Sequence, residues 1–438
     1  MKYNNLLATV ALVTLAACNT TGTVASSSDF NTVKSESNIT MPKYFFTDEV
    51  NKTCKMGHDG NSNNFYSSTL NNSYDFTNKD DYEWLKNMVN YNWKEDHAKR
   101  SNSLNVEMHQ LTDRMEYINT TLTNAIIDGT MEVQAPLAID LIMAFAENDF
   151  IMDSTTVQDI RDMKAAGKTT KCYKGKGNEK ATCHWHTAQE AARFSGQVAI
   201  TANLVRPYMN YKHLTFTENY LNALYKDYIA PWYESSGSGD TDGDGFYQMG
   251  HGAVSLLAYA QWKNDKELAT YAFESTFDYI DSIVFDGYID NNSFRGVRGY
   301  WYHSVALNNM LGMVALAEEW NYPVEDKILN KLTDAVEFLN QDPVEWTATL
   351  EALDKWSDFD GKSNITFKRN IYVGNASWKQ KNSRLFMHQE TIFLPYMAET
   401  YTKASINPDT NGMKIYKYKG RNKINDQQLG FNPTCITR

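Results

Sequence analysis

A chain of 438 residues is long enough for one large domain or about two to three ordinary ones. Hydrophobic residues make up 42% of the chain and aromatic residues 13%, which is enough for a buried core and excludes a wholly disordered protein. The formal net charge of −11 argues against a general nucleic-acid binder, because neutralising phosphates needs a net basic face.

The N-terminus has the pattern of an export signal. Lys2 precedes the apolar run LLATVALVTLAAC, which is too short to span a bilayer as a mature helix. The run ends in LAAC at residues 15–18, which resembles the lipobox of bacterial lipoproteins. The resemblance implies that residues 1–17 are a signal peptide and that Cys18 is lipidated. It also implies export to the outer membrane, facing either the periplasm or the cell surface. The alternative is an ordinary signal peptide with a chance cysteine.

Export to an oxidising compartment predicts disulfides among Cys54, Cys172, Cys183 and Cys435. Cys172 and Cys183 flank a short basic loop that contains glycine, so a local bridge between them is the simplest of the three connectivities. That pairing leaves Cys54 with Cys435. A zinc site is the alternative, but no CxxC pair supports it.

Polar sequence precedes the predicted folded part. Residues 18–80 contain many Ser, Thr and Asn residues and are predicted to form a tether and a polar extension. Over residues 81–405, apolar residues recur at intervals of three and four, which is typical of amphipathic helices. Residues 406–438 are predicted as a basic tail. The stretches with the helical pattern are 81–93, 133–149, 188–205, 219–233, 253–262, 269–284, 306–320, 328–339 and 390–401.

About a dozen helices without a strand scaffold suggest either a solenoid or a closed toroid of helical hairpins. No fixed-period repeat supports the solenoid, so we expect an all-α, single-domain (α/α) toroid, an incomplete barrel of helical hairpins. The central cleft of such a toroid is a common site for carbohydrate chemistry. The many aromatic residues suit stacking against sugar rings, although core packing uses the same residues.

The segment FRGVRGYWYHS, residues 294–304, concentrates arginines, aromatic rings and a histidine. Arg295 and Tyr302 are seven residues apart, so on one helix they would share a face. Gly296 and Gly299 favour instead a loop that leads into a helix near Tyr300. In either arrangement a cation near the phenol favours the phenolate and makes the tyrosine a base. The alternative is a core segment with solvated arginines.

Arg295, followed by Tyr302 and His303, resembles the catalytic arginine–tyrosine segment of the alginate lyases, polysaccharide lyases of the family 5 type. His251, some fifty residues upstream, matches the histidine of that family's Asn-Asn-His motif. Gly250 replaces the asparagine that neutralises the substrate carboxylate. Relatives in polysaccharide lyase family 38 are thought to take such a donor from an earlier helix. A weaker similarity to the last toroid helix covers Trp378, Lys379 and Arg384 and the stretch ETIFLPYMAETY.

The resemblance implies β-elimination on a mannuronate- or glucuronate-containing polymer such as alginate or glucuronan. Tyr302 would be the base and the acid, while Arg295 and His251 would stabilise the carboxylate or assist the tyrosine. No metal or other cofactor is expected. The residues expected to bind substrate are His184, His186, Gln189, Gln248, Arg298, Tyr300, His303, Trp378, Lys379 and Arg384. Gln248, His184, His186 and Gln189 are the candidates for the missing carboxylate donor.

Three alternatives stay open at this point. The loop GDTDGDG, residues 239–245, resembles the front of a calcium loop, but His251 stands where an EF-hand has its glutamate. A toroid glycoside hydrolase needs two carboxylates, for which Asp242 and Asp244 are the clustered candidates. A sugar-binding lipoprotein without activity would explain the loss of the asparagine at Gly250.

Overall fold

A computed structural model describes residues 39–50, 79–91, 106–168, 184–235, 246–290, 292–293, 299–340, 394–406 and 429. Of the residues described, 75% are helical, which confirms the all-α prediction. The strands within these ranges are β1 (Val284–Phe285) and β2 (Tyr288–Ile289), an antiparallel hairpin that pairs Val284 with Ile289. No helix in the described ranges has the length and apolar character needed to cross a bilayer.

The helices are named here in chain order. They are α1 (Lys79–Asn87), α2 (Val106–Asp128), α3 (Met131–Glu147), α4 (Val157–Ala165), α5 (His184–Val205), α6 (Tyr211–Leu224), α7 (Ala230–Ser235), α8 (Phe246–Lys263), α9 (Lys266–Ile283), α10 (Gly299–Glu319), α11 (Asp326–Leu339) and α12 (Leu394–Tyr401). A 3₁₀ turn, Arg206–Tyr208, follows α5, and a π-helical turn, Tyr225–Ile229, joins α6 to α7.

The helices pack in two alternating series. In the first series, α2, α5, α8, α10 and α12 each lie against the next member. In the second, α3, α6, α9 and α11 pack against members of the first series. Short connections, such as Gly129–Thr130 between α2 and α3, make consecutive helices antiparallel hairpins. From α2 to α10, neighbouring members of the first series therefore run parallel to one another.

Glycines allow close approach at two crossings of the first series. A Cβ atom on Gly196 of α5 would lie 2.1 Å from Oγ of Ser255 on α8, and one on Gly250 of α8 would lie 2.8 Å from Cβ of Asn309 on α10. Real Cβ atoms do not come so near other heavy atoms, so these helix spacings require a residue without a side chain.

The core between the two series is apolar and rich in aromatic rings. Phe145 of α3 stacks on Phe150 with centroids 4.6 Å apart, and both rings contact the edge of Phe194 on α5. In the described residues, the exposed large hydrophobic side chains are Val133, Tyr208, Tyr211 and Phe216. Core packing therefore accounts for most of the described aromatic side chains, and stacking against sugars does not.

Part of the predicted tether is built into the folded domain. Phe45 and Phe46 are buried, and the amide of Thr40 donates to the carbonyl of Trp320 at 3.0 Å. The indole of Trp320 donates to the carbonyl of Phe45, also at 3.0 Å. This differs from the extension predicted over residues 18–80, because the apolar residues of this segment pack at the end of α10.

A residue of the predicted basic tail is also part of the core. Leu429 is 1% exposed, and its side chain lies where a Cβ atom on Gly312 of α10 would point. The tail predicted over residues 406–438 therefore contributes an apolar contact to the first series, which its polar composition did not indicate.

Candidate active site

The predicted histidines and tyrosine lie at one end of the first helix series. The guanidinium of Arg206, just after α5, donates to the carbonyl of Trp262 near the end of α8 at 2.7 Å. The segment 39–46 then joins the ends of α8 and α10, since the amide of Gln261 donates to the carbonyl of Pro42 at 2.9 Å. The C-terminal ends of these three helices are thus together, and their N-terminal ends are together at the opposite end.

Each of these N-terminal ends carries a predicted site residue. His184 is the first residue of α5, His251 is in the second turn of α8, and Tyr302 is in the first turn of α10. The helix that was predicted to start near Tyr300 begins at Gly299. Tyr302 is 9% exposed, so its phenol lies in a largely desolvated position.

His303 has both ring nitrogens engaged inside the protein. Nε2 lies 3.0 Å from the carbonyl of Ala335, which can only accept, so Nε2 carries the proton. Nδ1 then accepts from Oγ of Ser293 at 2.9 Å, and that Oγ accepts in turn from the amide of Ile289 at 2.8 Å. Burial lowers the pKa of His303 to about 4, which keeps the ring neutral.

This network joins the start of α10 to β2 and to the end of α11. His303 is fully buried, with the ring of Phe338 at 5.9 Å. The placement argues against the direct substrate contact expected from the sequence, because no polar atom of the ring is left to reach a ligand. The hydrogen bonds of His303 instead fix the backbone next to Tyr302.

The entry of α5 holds His184 and Gln189. Nδ1 of His184 lies 3.5 Å from Oγ1 of Thr155. Burial lowers the pKa of His184 and outweighs the opposite effect of Asp159, so the ring is neutral near pH 7. Gln189 is 5% exposed, one turn further along the helix. Between them, Trp185 packs against the ring of Trp232 in a small separate core cluster.

A buried ionic network that the sequence analysis missed joins α2 to α5. The guanidinium of Arg193 donates to both carboxylate oxygens of Glu190, at 3.0 and 3.1 Å, and to Glu116 at 3.2 Å. Oγ1 of Thr112 donates to Glu190 at 3.0 Å. Burial alone would lower the pKa of Arg193, but the two carboxylates outweigh it and raise that pKa above its ordinary range.

The same interface continues as neutral hydrogen bonds. The amide of Asn119 on α2 donates to Oε1 of Gln197 on α5 at 2.8 Å and accepts from Oγ1 of Thr201 at 2.6 Å. The signal was present in the sequence as polar residues at helical spacing on both segments. Apolar periodicity identifies a helix by its buried apolar residues, so it gives no information about such a row of polar residues.

The glycine at position 250, where the alginate lyases that the sequence resembles have asparagine, has a structural explanation. The atoms nearest to a Cβ at this position would be Cβ, Cγ and Nδ2 of Asn309, at 2.8, 3.0 and 3.2 Å. The amide side chain of Asn309 on α10 therefore occupies the space that an asparagine on α8 would need.

Several predicted residues lie outside the described atoms. For His186, Gln248, His251 and Tyr300 the backbone is placed in a helix and the side chain is outside the described part. The others lie outside the described residues altogether: Cys18, Cys54, Cys172, Cys183, the loop 239–245, Arg295, Arg298, Trp378, Lys379, Arg384 and Cys435. The described side chains form no group of three or more metal-ligating residues.

No protein-family model, curated protein or solved structure matches the chain. The resemblance to alginate lyases rests on the sequence pattern around His251 and over residues 295–303.

Proposed function

We propose that the protein is a polysaccharide lyase that cleaves a mannuronate- or glucuronate-containing polymer by β-elimination, with the helices arranged as an (α/α) toroid. The observation that carries the proposal is the placement of Tyr302 and His251. They lie in the first two turns of α10 and α8, adjacent parallel helices whose N-terminal ends are on the same side of the first series. The two alternating helix series support the toroid, since that fold needs an inner and an outer ring.

The reaction would use one proton carrier. The Tyr302 phenolate removes the proton on C5 of the uronate, and the electron pair left on C5 forms the C4–C5 double bond as the bond to O4 breaks. The phenol then returns the proton to O4 of the leaving sugar, which restores the phenolate. Negative charge builds up on the carboxylate during this step, and Arg295 with His251 would stabilise it.

The surroundings suit an anionic substrate and a fixed tyrosine. The N-terminal ends of α5, α8 and α10 are on the same side of the first series, and each carries a partial positive charge. The bonds from His303 to Ser293 and Ala335 fix the turn that carries the tyrosine. Preorganised groups of this kind lower the barrier, because they need no rearrangement during the reaction.

The substrate preference follows from stereochemistry. In mannuronate and glucuronate, H5 and O4 lie on the same side of the ring, so a single tyrosine can serve both atoms. In guluronate they lie on opposite sides, and a second group such as His251 must act. With Asn309 filling the space beside Gly250, carboxylate binding falls to other donors, and we propose His184 and Gln189 at the entry of α5 for this role.

A glycoside hydrolase is the second candidate, because Glu116 and Glu190 form a carboxylate pair. Both carboxylates bind the single guanidinium of Arg193, which stabilises the charged form of each. A hydrolase needs one of its two carboxyl groups protonated as a general acid, so this pair favours a structural role. A sugar-binding lipoprotein without activity is the third candidate.

Initial rates on polymannuronate, polyglucuronate and polyguluronate separate these candidates. A lyase forms an unsaturated uronate, which is followed by its ultraviolet absorbance, whereas a hydrolase forms only new reducing ends and a binding protein forms neither product. We expect unsaturated product from polymannuronate or polyglucuronate, and much less from polyguluronate. A clear preference for polyguluronate would overturn the single-tyrosine mechanism, and reducing ends without unsaturation would overturn the lyase.

A further inference from the structure

A cavity of about 280 Å³ lies between α9 and the start of α11. Its wall contains Glu274, Phe277 and Asp278, which share one side of α9, and Tyr322 from the connection between α10 and α11. Glu325, at the start of α11, also lines it. The volume is close to the lower limit for pockets that bind small molecules.

The cavity is separate from the candidate active site. Tyr322 follows the C-terminal end of α10, whereas Tyr302 is in the first turn of the same helix. α10 has 21 residues, so the two tyrosines are roughly 30 Å apart along the helix. A ligand in the cavity would therefore not contact the groups that are proposed to cleave the polymer.

An aromatic ring forms part of the wall. Tyr322 stacks on Phe273 and Phe277 of α9, with ring centroids 5.0 and 5.8 Å apart. Both phenylalanines are buried, whereas Tyr322 is half-buried and lines the cavity. A ligand in the cavity therefore meets a phenol ring whose position is fixed by the helix beneath it. The face of such a ring attracts cations.

The wall also carries negative charge that has no counter-ion. Glu274 and Asp278 are one helical turn apart, and in the described part of the chain neither forms an ion pair. Burial and the charge of Asp278 raise the pKa of Glu274. Glu325 differs from them, because the ammonium of Lys327 lies 3.3 Å from its carboxylate. Two like charges at one wall repel each other, and a bound cation would relieve that repulsion.

The phenol of Tyr322 reports the same negative field. Burial, followed by the charges of Glu274, Asp278 and Glu325, raises the pKa of Tyr322 to about 12. The phenol therefore stays neutral at pH 7, and its oxygen can accept a hydrogen bond from a ligand. The cavity thus combines an aromatic face, a neutral acceptor and two unpaired carboxylates.

The spacing of these groups favours an organic cation over a metal ion. The described His, Cys, Asp and Glu side chains form no group of three that could hold a metal ion, so the carboxylates of this wall do not converge on one point. An organic ammonium does not need such convergence. Its N–H groups donate in different directions, and its carbon chain packs against an aromatic ring.

We propose that this cavity binds a small organic cation that carries a primary ammonium group. The ammonium donates to Glu274 and Asp278, and the adjoining carbon chain packs against Tyr322. This inference goes beyond the proposed lyase reaction and does not depend on it.

Isothermal titration calorimetry of the purified full chain with diaminobutane tests the proposal. We expect saturable binding by the wild-type chain that weakens as salt is added. Glu274→Gln and Asp278→Asn each remove one charge at nearly constant volume, and each should weaken binding by about tenfold or more. Glu267→Gln is the matched control, since it removes an exposed acidic residue in the first turn of the same helix, outside the cavity, and it should bind as the wild type does.

Butanol and calcium chloride are the comparison ligands. Butanol that binds as tightly as diaminobutane would overturn the proposal, because the cavity would then select only for apolar character. Calcium binding that is lost in Glu274→Gln and Asp278→Asn would overturn it in favour of a metal site. A wild-type chain without saturable diaminobutane binding would overturn it too, as would equal binding by Glu274→Gln.

The thermal stability of the ligand-free variants separates binding from folding. Because like charges one turn apart destabilise a helix, Glu274→Gln should keep or raise the Tm of the wild type while it loses affinity for diaminobutane. A clear fall in Tm would show that the carboxylate serves the fold, and it would count against a binding site at this wall.

Discussion

Replacing Arg193 by methionine should destabilise the protein strongly, because it removes a cation that is shared by two buried carboxylates. The Arg193 side chain is 6% exposed, and the side chains of Glu116 and Glu190 are 2% and 10% exposed. Removing one partner of a buried ion pair costs about 3–5 kcal/mol, and here both remaining groups carry the same charge. We therefore expect Arg193→Met to fall at the upper end of that range at neutral pH.

Two companion variants make this prediction specific. Glu116→Gln removes one of the two negative charges and leaves the bonds between Arg193 and Glu190 in place, so it should cost clearly less than Arg193→Met. Lys327→Met removes an exposed cation that pairs with Asp281 and Glu325, and it should leave Tm nearly unchanged.

Urea unfolding across a pH series is the assay. Without Arg193 the two glutamates become easier to protonate. The loss of unfolding free energy in Arg193→Met, relative to the wild type, should therefore shrink as pH falls toward about 4, near the ordinary pKa of glutamate. A loss of unfolding free energy below about 1 kcal/mol at neutral pH would refute the reasoning from buried charge. A loss that does not change with pH would refute it as well.

The remaining predictions concern helix spacing and pH. Gly250→Ala should cost about 1–3 kcal/mol by urea unfolding, because its Cβ would overlap Asn309, and the same substitution should cost clearly less in an Asn309→Gly background. Gly252→Ala is the matched control on α8, since its nearest neighbours would be at 3.3 and 3.4 Å; a loss equal to that of Gly250→Ala would contradict the spacing argument. In the folded protein the pKa of His303 is lowered from 6.5 to about 4, so as pH falls the unfolded chain is protonated at this residue before the folded chain. The free energy of unfolding should therefore decrease between pH 6.5 and about 4, by up to about 3 kcal/mol. His303→Gln should flatten this part of the stability profile, and an unchanged profile would show that another group is responsible.

The sequence predicted most helices well, because their buried sides are apolar. The stretch 253–262 was predicted and lies within α8, and the start of α10 was placed within one residue by the glycine at 299. α2 was not predicted. The helical spacing is nevertheless present, since Leu111, Met115, Ile118 and Leu122 are apolar and buried. The residues that contact α5, Thr112, Glu116 and Asn119, are polar and lie next to them in the sequence.

The candidate site was predictable in its residue types and not in its contacts. Tyr302 and His251 could be identified by resemblance, but the role of His303 depends on Ser293 and Ala335, which are 10 and 32 residues away. The reason for glycine at position 250 is Asn309 on another helix. Local sequence carries no record of such pairings, because they arise only when the helices pack.

The most direct test of the central claim is the rate of unsaturated-product formation by Tyr302→Phe. The substitution removes the only group proposed to carry the proton and keeps the ring, so the rate should fall by several orders of magnitude while substrate binding and Tm stay near the wild-type values. Tyr220→Phe is the control, since it removes a buried phenol that donates to the carbonyl of Phe150 at 2.8 Å, and it should lower stability without lowering the catalytic rate. A purified, folded Tyr302→Phe protein with more than about a tenth of the wild-type rate would contradict the assignment of this tyrosine as the base and acid.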